Sequence, residues 1–266
     1  MKMIANSKAL KETHFMTISG NGRLGNAMFQ VAALLSSAKR LNYTAFIRPD
    51  HVISRYFLIL GTTWMSLINV EIAGEKAFGK YDNDLESLDT SKNWTLAGYY
   101  QSWKYFYKDE DLIRGSFNFK PNIYEPAREI VNSVRSGNRT IIGIYIRRGD
   151  MATRSADESG YSAAPISYIK KSIHYFKEGY SNTFFIVVSD EFPWYKDNLR
   201  EDNGTAFISF ATPGTDMAVL SVCDHVIVTS GTFGWWGAWL AGGDVVYFKG
   251  FPKPGSQLDR QISRED

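Results

Sequence analysis

A short strand that ends in two arginines organises this sequence: Thr140–Met151 reads TIIGIYIRRGDM. Its run of isoleucines is typical of a strand that is buried on both faces of a parallel sheet. Arg147 and Arg148 follow at once, at a point where a core has no use for charge. Ligands of open parallel sheets bind beyond the carboxyl ends of the strands, and arginine can grip two phosphate oxygens together. The segment predicts either a phosphate site or a solvated strand end in which Asp150 pairs with an arginine.

Composition narrows the class of protein. The 266 residues suffice for one large domain or two of ordinary size, and 44% hydrophobic with 22% charged residues is typical of a soluble globular enzyme. A net charge of +2 gives no reason to expect a polyanionic partner, which disfavours nucleic acid. The single cysteine, Cys223, excludes a disulfide framework within the chain and a cysteine-based zinc site.

Targeting signals are sparse. The sequence has no window of about 18 apolar residues, so it predicts no membrane-spanning helix. The first residues lack the apolar centre of a signal peptide. Glycosylation sequons hint only weakly at a secretory lumen, and they lie at Asn42, Asn93, Asn138 and Asn203.

Strands and helices alternate regularly in the second half. This alternation predicts a right-handed, doubly wound parallel sheet. The predicted strands are 139–146, 184–189, 206–210, 225–229 and 245–248, and the predicted helices are 125–134, 165–180, 193–200, 215–223 and 233–240. Polar residues collect where three strands end, at Arg147–Asp150, Ser189–Glu191 and Ser230–Thr232. Because parallel strands end at one edge of a sheet, these groups should line a single crevice.

The first half is less regular. A strand at His14–Ser19 precedes the turn GNGRLGN at Gly20–Asn26, and a helix follows. The start of that helix could meet an anion, but Asp50 is a poor candidate for the acidic residue of a dinucleotide fingerprint. Arg23 should project from the turn into a cleft. Further along, 43–81 is interpreted as irregular with short strand and helix candidates, 94–100 as a strand and 101–106 as the start of a helix. The polar residues 108–114 are interpreted as the approach to a domain boundary near 120.

The crevice residues suggest roles. Arg147 and Arg148 offer charge for a pyrophosphate. Ser230, Gly231 and Thr232 offer hydroxyls and backbone N–H groups at a helix start. Two carboxylates leave alternatives open: Asp216 is either a helix-start residue or an acceptor from guanine N–H groups, and Asp190 is either a crevice carboxylate or a helix cap.

Two acidic triplets could in principle hold a divalent ion on a nucleotide sugar. They lie at Asp82–Asp84 and Asp109–Asp111, in polar stretches without a preceding apolar strand. We interpret both as solvated acidic turns, and we expect arginine to neutralise the leaving group without a metal.

Three pieces of this sequence resemble the inverting α-1,2-fucosyltransferases, which are relatives of the α-1,6- and protein O-fucosyltransferases. The pieces are GNGRLGNAMFQ, IYIRRGD and DMAVLSVCDHVIVTSGTFGWWGAWLA, and they occur in the family's order between Gly20 and Ala241. The resemblance implies an α/β fold of the GT-B type, with two Rossmann-type domains and parallel doubly wound sheets. It implies an N-terminal domain at 1–120 on the acceptor side, and a C-terminal domain at 121–266 that holds GDP-fucose without a metal.

The resemblance also implies roles for individual residues. The family's Arg-Arg-x-Asp motif matches Arg147, Arg148 and Asp150. Its last motif supplies donor-binding residues, and its relatives' base-reading aspartate matches Asp216. The residues expected to bind the donor are Arg148, Tyr145, Asp216, Ser230, Gly231, Thr232 and Phe233, and those expected on the acceptor side are Gly22, Arg23, Gly25 and Asn26.

Two features depart from the family. Tyr145 stands where a histidine is usual, and tyrosine donates a hydrogen bond but carries no charge at neutral pH. Eukaryotic members carry an N-terminal membrane anchor and work in the Golgi lumen. This sequence has no anchor, which suggests a trimmed, alternatively started or soluble form, cytoplasmic if it is bacterial in type.

The expected function is therefore transfer of L-fucose from GDP-fucose to the 2-hydroxyl of a β-galactoside glycan, with inversion. Arg147 is the first candidate for catalysis, with Arg148 partly structural. Asp150, Asp157 and Glu158 are candidate bases, and a base acting through water, or none, is open. The alternatives are a fucosyltransferase of another linkage or acceptor, and a catalytically silent carbohydrate-binding protein on the same fold.

Overall fold

The computed structural model describes residues 14–59, 70–199, 204–207 and 212–263. The chain divides into two compact units, the first formed by Met1–Asn118 with Gln261–Asp266 and the second by Phe119–Arg260. The chain returns to the first unit at its end, where Ile262 forms an isolated parallel bridge with Gly79. No helix within the described ranges combines the length and apolar character needed to cross a membrane.

The first unit is built on a parallel sheet of four strands in the order β2-β1-β4-β3. Its elements are β1 Phe15–Ile18, α1 Leu24–Leu41, β2 Thr44–Ala45, β3 Val70–Gly74, β4 Asn93–Ala97 and α2 Glu110–Ser116. The predicted first strand, the helix after the glycine-rich turn and the strand near residue 94 are confirmed. The short strands β2 and β3 lie within 43–81, the stretch for which the sequence offered only short strand and helix candidates.

The segment after β4 differs from its prediction. In place of the start of a helix at 101–106, two short 3-10 turns occupy Trp103–Tyr105 and Tyr107–Asp109. The polar residues 108–114, interpreted as the approach to a domain boundary, contribute to α2, for which no helix was predicted. Glu110 and Asp111 stand in its first turn, where a helix dipole favours acidic residues, and Ile113 anchors it in the core.

The second unit has a five-stranded parallel sheet in the order β7-β6-β5-β8-β9. Its strands are β5 Thr140–Ile146, β6 Thr183–Ser189, β7 Thr205–Phe207, β8 His225–Val228 and β9 Val245–Tyr247. Its helices are α3 Pro121–Val134, α4 Arg154–Glu158, α5 Ile166–Gly179, α6 Phe192–Asn198, α7 Pro213–Val222, α8 Gly231–Ala241 and α9 Gln257–Gln261, whose last residue belongs to the first unit. The doubly wound parallel sheet is confirmed. The end of the predicted strand 206–210 and the sequon at Asn203 lie outside the described residues.

β5 is the central strand, and six of its seven residues are buried. It pairs with β6 on one side and with β8 on the other. The chain runs outward from β5 through β6 to β7, then returns to place β8 on the opposite flank of β5. The strand order therefore reverses between β5 and β8, and such a switch point opens a crevice at the carboxyl ends of the strands.

Two glycines let β5, α7 and α8 pack closely together. A Cβ at Gly143 would lie 2.9 Å from Leu220 Cδ2, and one at Gly237 would lie 2.9 Å from Leu220 Cβ. Leu220 of α7 thus fills the space between the strand and α8. This close packing fixes the position of the start of α8 relative to the end of β5, and those two points carry the candidate site.

Candidate functional site

The three polar strand ends of the second unit are brought together. Beyond β5, the Arg147 N–H donates to Thr229 Oγ1 at 2.9 Å, and the Arg148 N–H donates to Asp190 Oδ1 at 2.9 Å. The backbone that carries both arginines is therefore fixed to the ends of β8 and β6. The predicted meeting of these strand ends at one edge of the sheet is confirmed. Sequence reasoning did not identify the buried Thr229, because a threonine that ends an apolar strand has no signature of its cross-strand bond.

Arg147 is held in a fixed orientation. Its Nε and Nη2 atoms donate to the two carboxylate oxygens of Asp150, at 3.0 and 2.7 Å. Its third nitrogen, Nη1, lies over the start of α8, since a Cβ at Gly231 would come within 2.6 Å of it. Burial opposes the guanidinium charge, but the bonds to Asp150 outweigh it and raise the Arg147 pKa above its usual value. Arg147 is therefore a permanent cation, and its Nη1 atom faces the start of α8.

The start of α8 has the features of an anion site. Ser230 occupies the N-cap position but makes no capping bond, and the first turn contains no acidic residue. The Ser230 hydroxyl is buried and, among the residues the structure describes, has no hydrogen-bond partner. Gly231 adopts a φ of +83°, which favours glycine. Backbone N–H groups at a helix start attract anions, and here they adjoin a guanidinium, so a phosphate group fits this donor set.

Arg148 differs from Arg147 in its partner. Its guanidinium carbon lies 4.2 Å from the ring centroid of Trp194, a cation–π contact. Within the described part of the chain, no carboxylate forms an ion pair with the Arg148 side chain. Trp194 was missed from sequence, because an aromatic in a short helix carries no sign of what it stacks on. The two adjacent arginines thus have different supports, a carboxylate and an aromatic face.

Tyr145 lies beneath the first turn of α8. Its ring centroid is 5.0 Å from that of Phe233, and a Cβ at Gly234 would come within 2.4 Å of Tyr145 Cδ1. Burial raises the Tyr145 pKa well above its usual value. The charge of Arg147 lowers that pKa, whereas those of the nearby carboxylates raise it. The phenol is neutral over the physiological range.

The carboxylates around this crevice have separate environments. Asp216 lies in the first turn of α7, half-buried, and its charge is close enough to act on Tyr145. Asp190 accepts from the Arg148 backbone N–H and so fixes the turn after β5. A Cβ at Gly149 would lie 3.3 Å from Glu191 Oε2, which places Glu191 beside the same turn.

The other two candidate bases are engaged elsewhere. Asp157 forms an ion pair of 2.7 Å with Lys253, and Glu158 forms one of 2.9 Å with Arg154. The segment that carries them contains the short helix α4, which Thr153 caps. Asp150 is the candidate that adjoins Arg147.

The glycine-rich turn lies in the first unit. Gly22 has a φ of +90°, and a Cβ there would approach Asn26 Nδ2 to 2.6 Å, so glycine is required for this turn. Asn26 Oδ1 accepts from Gln101 Nε2 at 3.1 Å. Arg23 is exposed at the N-cap of α1, whereas Gly25 is buried in its first turn. Gln30, which sequence reasoning did not single out, donates to the carbonyls of Asn21 and Gly98 and joins the turn to the end of β4.

The acidic triplets have defined partners. Asp82 and Asp84 both bind the Lys76 ammonium, at 3.2 and 2.6 Å. Asp109 is buried and bonds Ser36 Oγ and Lys39 Nζ. The interpretation of Asp109 as part of a solvated turn is therefore wrong. It is a structural carboxylate that holds the turns after β4 against α1.

These observations define a class: a protein of two α/β units with parallel sheets. Its second unit has a candidate anion site, formed by an arginine beside a helix start at a switch point of the sheet. Comparison places it in a family, because the model of glycosyl transferase family 11 matches residues 62–265. The chain belongs to that family, and the recognition made from its motifs is confirmed.

Relatives and solved structures agree with this assignment. The chain is 31% identical over 267 residues to human galactoside alpha-(1,2)-fucosyltransferase 1. The aligned region covers 91% of this chain and 70% of the relative. NodZ alpha-1,6-fucosyltransferase soaked with GDP-fucose superposes with a TM-score of 0.60 at 15% identity, over 84% of this chain and 91% of that one. A mutant of Arabidopsis thaliana FUT1 in complex with GDP gives a TM-score of 0.62 at 12% identity, over 89% and 70%. The GT-B-like fold is thereby confirmed, and the chain is a fucosyltransferase.

Proposed function

We propose that this protein transfers L-fucose from GDP-fucose to the 2-hydroxyl of a β-galactoside glycan, with inversion and without a metal ion. One observation carries the proposal: Arg147 Nη1 lies over the uncapped start of α8, at the switch point of the second unit. That pair of donors fits the phosphates of a nucleotide sugar. The family relatives that are galactoside alpha-(1,2)-fucosyltransferases support the sugar and the linkage.

The chemistry follows from where charge develops. The bond between the anomeric carbon and the β-phosphate oxygen breaks as the acceptor oxygen attacks from the opposite face, which inverts the configuration. Negative charge then grows on the departing GDP, and a fixed cation beside it stabilises the transition state more than the ground state. Arg147 supplies that cation and the helix start supplies backbone N–H donors.

Asp150 positions the cation. Because it binds Nε and Nη2 of Arg147, the guanidinium plane is fixed before the donor arrives and no reorganisation is needed during the reaction. The attacking hydroxyl must also lose its proton. Asp150 is the candidate base beside Arg147, and the proton passes either to Asp150 or, through a bridging water, to solvent.

Guanine recognition is assigned to Asp216. A carboxylate accepts two N–H donors from the Watson–Crick edge of guanine, which adenine and uracil cannot supply in the same pattern. The half-buried Asp216 lies within electrostatic range of Tyr145, which packs under the anion site. The base and the phosphates would thus be held by neighbouring elements of one unit.

We assign to the two arginines the role of neutralising the leaving group, so that no metal ion is needed. Arg147 and Arg148 already provide positive charge at the crevice, and the Asp82 and Asp84 carboxylates are bound to Lys76. We expect activity in excess chelator to equal activity with magnesium or manganese. Complete loss on chelation, restored by manganese, would contradict this assignment.

The experiment that tests the function is release of GDP from GDP-fucose in the presence of lactose, N-acetyllactosamine and a serine- or threonine-containing peptide. A trisaccharide product whose NMR spectrum shows an α-1,2 linkage is the expected result. Transfer to another hydroxyl would contradict the proposed α-1,2 linkage but would still support GDP-fucose as the donor. Absence of GDP release with every acceptor, in a folded protein that binds GDP, would favour a silent binding protein.

A further inference from the structure

Two aromatic rings of the first unit face solvent side by side. Trp103 is 38% exposed and Tyr107 is 50% exposed, and their rings pack edge to face with centroids 5.3 Å apart. The intervening Tyr105 and Phe106 are at most 1% exposed and belong to the core. The segment therefore turns two of its aromatic residues inward and leaves the other two as an outward pair, which we call the aromatic pair.

The backbone under the aromatic pair is firmly held. Ser102 is fully buried, and its hydroxyl accepts from the Lys104 N–H at 3.2 Å. The Tyr105 carbonyl accepts from Arg40 at 2.9 Å, and the buried Asp109 accepts from Lys39 at 2.6 Å. A ring that is already fixed loses little conformational freedom when a ligand stacks on it, so binding to it costs less free energy.

The position of the aromatic pair relates it to the glycine-rich turn. Its segment begins just after β4 ends, at the carboxyl edge of the first sheet. Gln101 Nε2 donates to Asn26 Oδ1 at 3.1 Å, which ties the segment to the first turn of α1. Gln30 bridges the carbonyls of Asn21 and Gly98 and so joins the turn to the end of β4. The segment therefore starts at the edge that carries these polar amides and continues along α1 towards Lys39 and Arg40.

We propose that the aromatic pair is the stacking platform for a pyranose ring of the glycan acceptor. This inference rests on the proposed function and adds to it the part of the first unit that recognises the acceptor. One face of a galactose ring carries only C–H groups and packs well on an aromatic face, whereas its hydroxyls need amide partners. Lys108 Nζ lies 5.5 Å from the Tyr107 ring centroid and covers part of that ring, so Trp103 provides the main surface.

A protein partner fits this surface less well than a sugar. A stable protein interface buries roughly 800 Å² on each side, around an apolar centre. The aromatic pair is only two rings, with Lys108 beside one of them, which is the size of one or two sugar units. A second copy of this chain is an occupant that the experiment can detect.

The test is a comparison of kinetic constants with lactose as the acceptor. Trp103→Ala should raise the KM for lactose about three- to tenfold, the effect of losing one aromatic stacking contact. Trp103→Phe should recover part of that loss, and Tyr107→Ala should have a smaller effect. The KM for GDP-fucose, the slow hydrolysis of GDP-fucose by water and kcat at saturating lactose should stay at parental values.

A matched control is available in the second unit. Tyr175 is 57% exposed and packs edge to face on Phe176 at 5.3 Å, so Tyr175→Ala removes an exposed ring from a similar pair. It should leave every constant unchanged.

The outcomes separate the inference from the function on which it rests. If the parental protein releases no GDP with any acceptor, the proposed function fails. If the parent is active and Trp103→Ala keeps the parental KM for lactose, the platform is refuted. A parallel fall in GDP-fucose hydrolysis would also refute it, because that would indicate general damage. Dissociation of a parental dimer by Trp103→Ala, measured by sedimentation, would assign the surface to a second copy instead.

Discussion

Replacement of Arg147 tests the proposed mechanism at its centre. In the structure, Nε and Nη2 are bound to Asp150, and Nη1 lies over the start of α8. Arg147→Ala removes both the charge and the donor that faces the helix start. We expect a loss of at least ~3 kcal/mol in transition-state stabilisation, comparable to removal of one oxyanion-hole donor. That corresponds to a fall of roughly 150-fold in kcat/KM, since ~1.4 kcal/mol is a factor of ten.

The lysine variant separates charge from geometry. Arg147→Lys keeps a positive charge, but a single ammonium cannot hold both oxygens of Asp150 and also reach the start of α8. We expect it to recover little of the lost rate. If Asp150 only orients the cation, Asp150→Asn should reduce kcat less than Arg147→Ala does, because the cation remains while its orientation is relaxed; an equal or larger loss would assign the base role to Asp150. In a double-mutant cycle, the coupling energy between positions 147 and 150 calculated from kcat should be larger than the coupling energy calculated from the free energy of unfolding.

Stability can be monitored separately from catalysis. The ion pair between Arg147 and Asp150 is partly exposed, with side-chain exposures of 24% and 46%. Pairs of this kind contribute at most about 1 kcal/mol to the free energy of unfolding. A shift of a few degrees in Tm is therefore expected, far too small to explain a large loss of activity. A folded Arg147→Ala protein with near-parental kcat would refute the mechanism, and Arg148→Ala serves as the comparison at the neighbouring residue.

Three further predictions concern other residues. Gly231→Ala should weaken GDP binding and lower Tm, because the residue has a φ of +83° and its Cβ would meet Arg147. Gly137→Ala is the control for the backbone cost alone, because Gly137 has a φ of +57° and nothing lies within 4 Å of its Cβ position. Equal effects of the two substitutions on GDP affinity would contradict the prediction. Asp216→Asn should weaken GDP by about 1.5–3 kcal/mol in calorimetry, the value of a charged hydrogen bond; unchanged affinity would make Asp216 a helix-start residue only. Burial raises the pKa of Asp109, but the bonds from Lys39 and Ser36 lower it more, so the folded pKa lies below the usual value. Asp109 therefore stabilises the fold above the unfolded pKa of about 4, and this stabilisation is lost as pH falls through the lower folded pKa. Asp109→Asn should reduce the fall of Tm at acid pH, and an unchanged fall would show that Asp109 does not cause it.

The second unit could be predicted from sequence because each of its inner strands is a short apolar run that ends in polar residues. Thr140–Ile146 and Thr183–Ser189 are buried along almost their whole length, so a continuous hydrophobic pattern marks them. The same pattern fixes which residues fall at the carboxyl ends. The crevice followed from that, since parallel strands share an edge.

Three elements of the first unit, β2, β3 and α2, resisted prediction for physical reasons. β2 has only two residues, and β3 is an edge strand in which Ala73 is the buried residue while Ile72 is largely exposed. Neither has a hydrophobic period that distinguishes a strand from a loop. α2 was missed because its seven residues contain more polar than apolar side chains and because a single buried residue, Ile113, anchors it.

Contacts between distant segments were the other part that sequence could not supply. The bond from the Arg147 N–H to Thr229, the stacking of Arg148 on Trp194 and the bridge made by Gln30 each join residues far apart in the chain. Residue type alone does not select these partners, because threonine, tryptophan and glutamine have many other uses. The sequence located the arginines, and the structure gave the reason for their orientation.

The run SGTFG at the start of α8 shows how the second unit couples packing to the anion site. Gly231 leaves room for Arg147, and Gly234 leaves room for Tyr145, so each glycine admits one side chain from the end of β5. Phe233 then packs against the Tyr145 ring. A larger residue at either glycine would push the helix start away from β5 and separate the backbone N–H groups from the cation. Tyrosine at position 145 is therefore part of the packing that brings the helix to Arg147, and its neutral phenol leaves the positive charge of the site to the arginines.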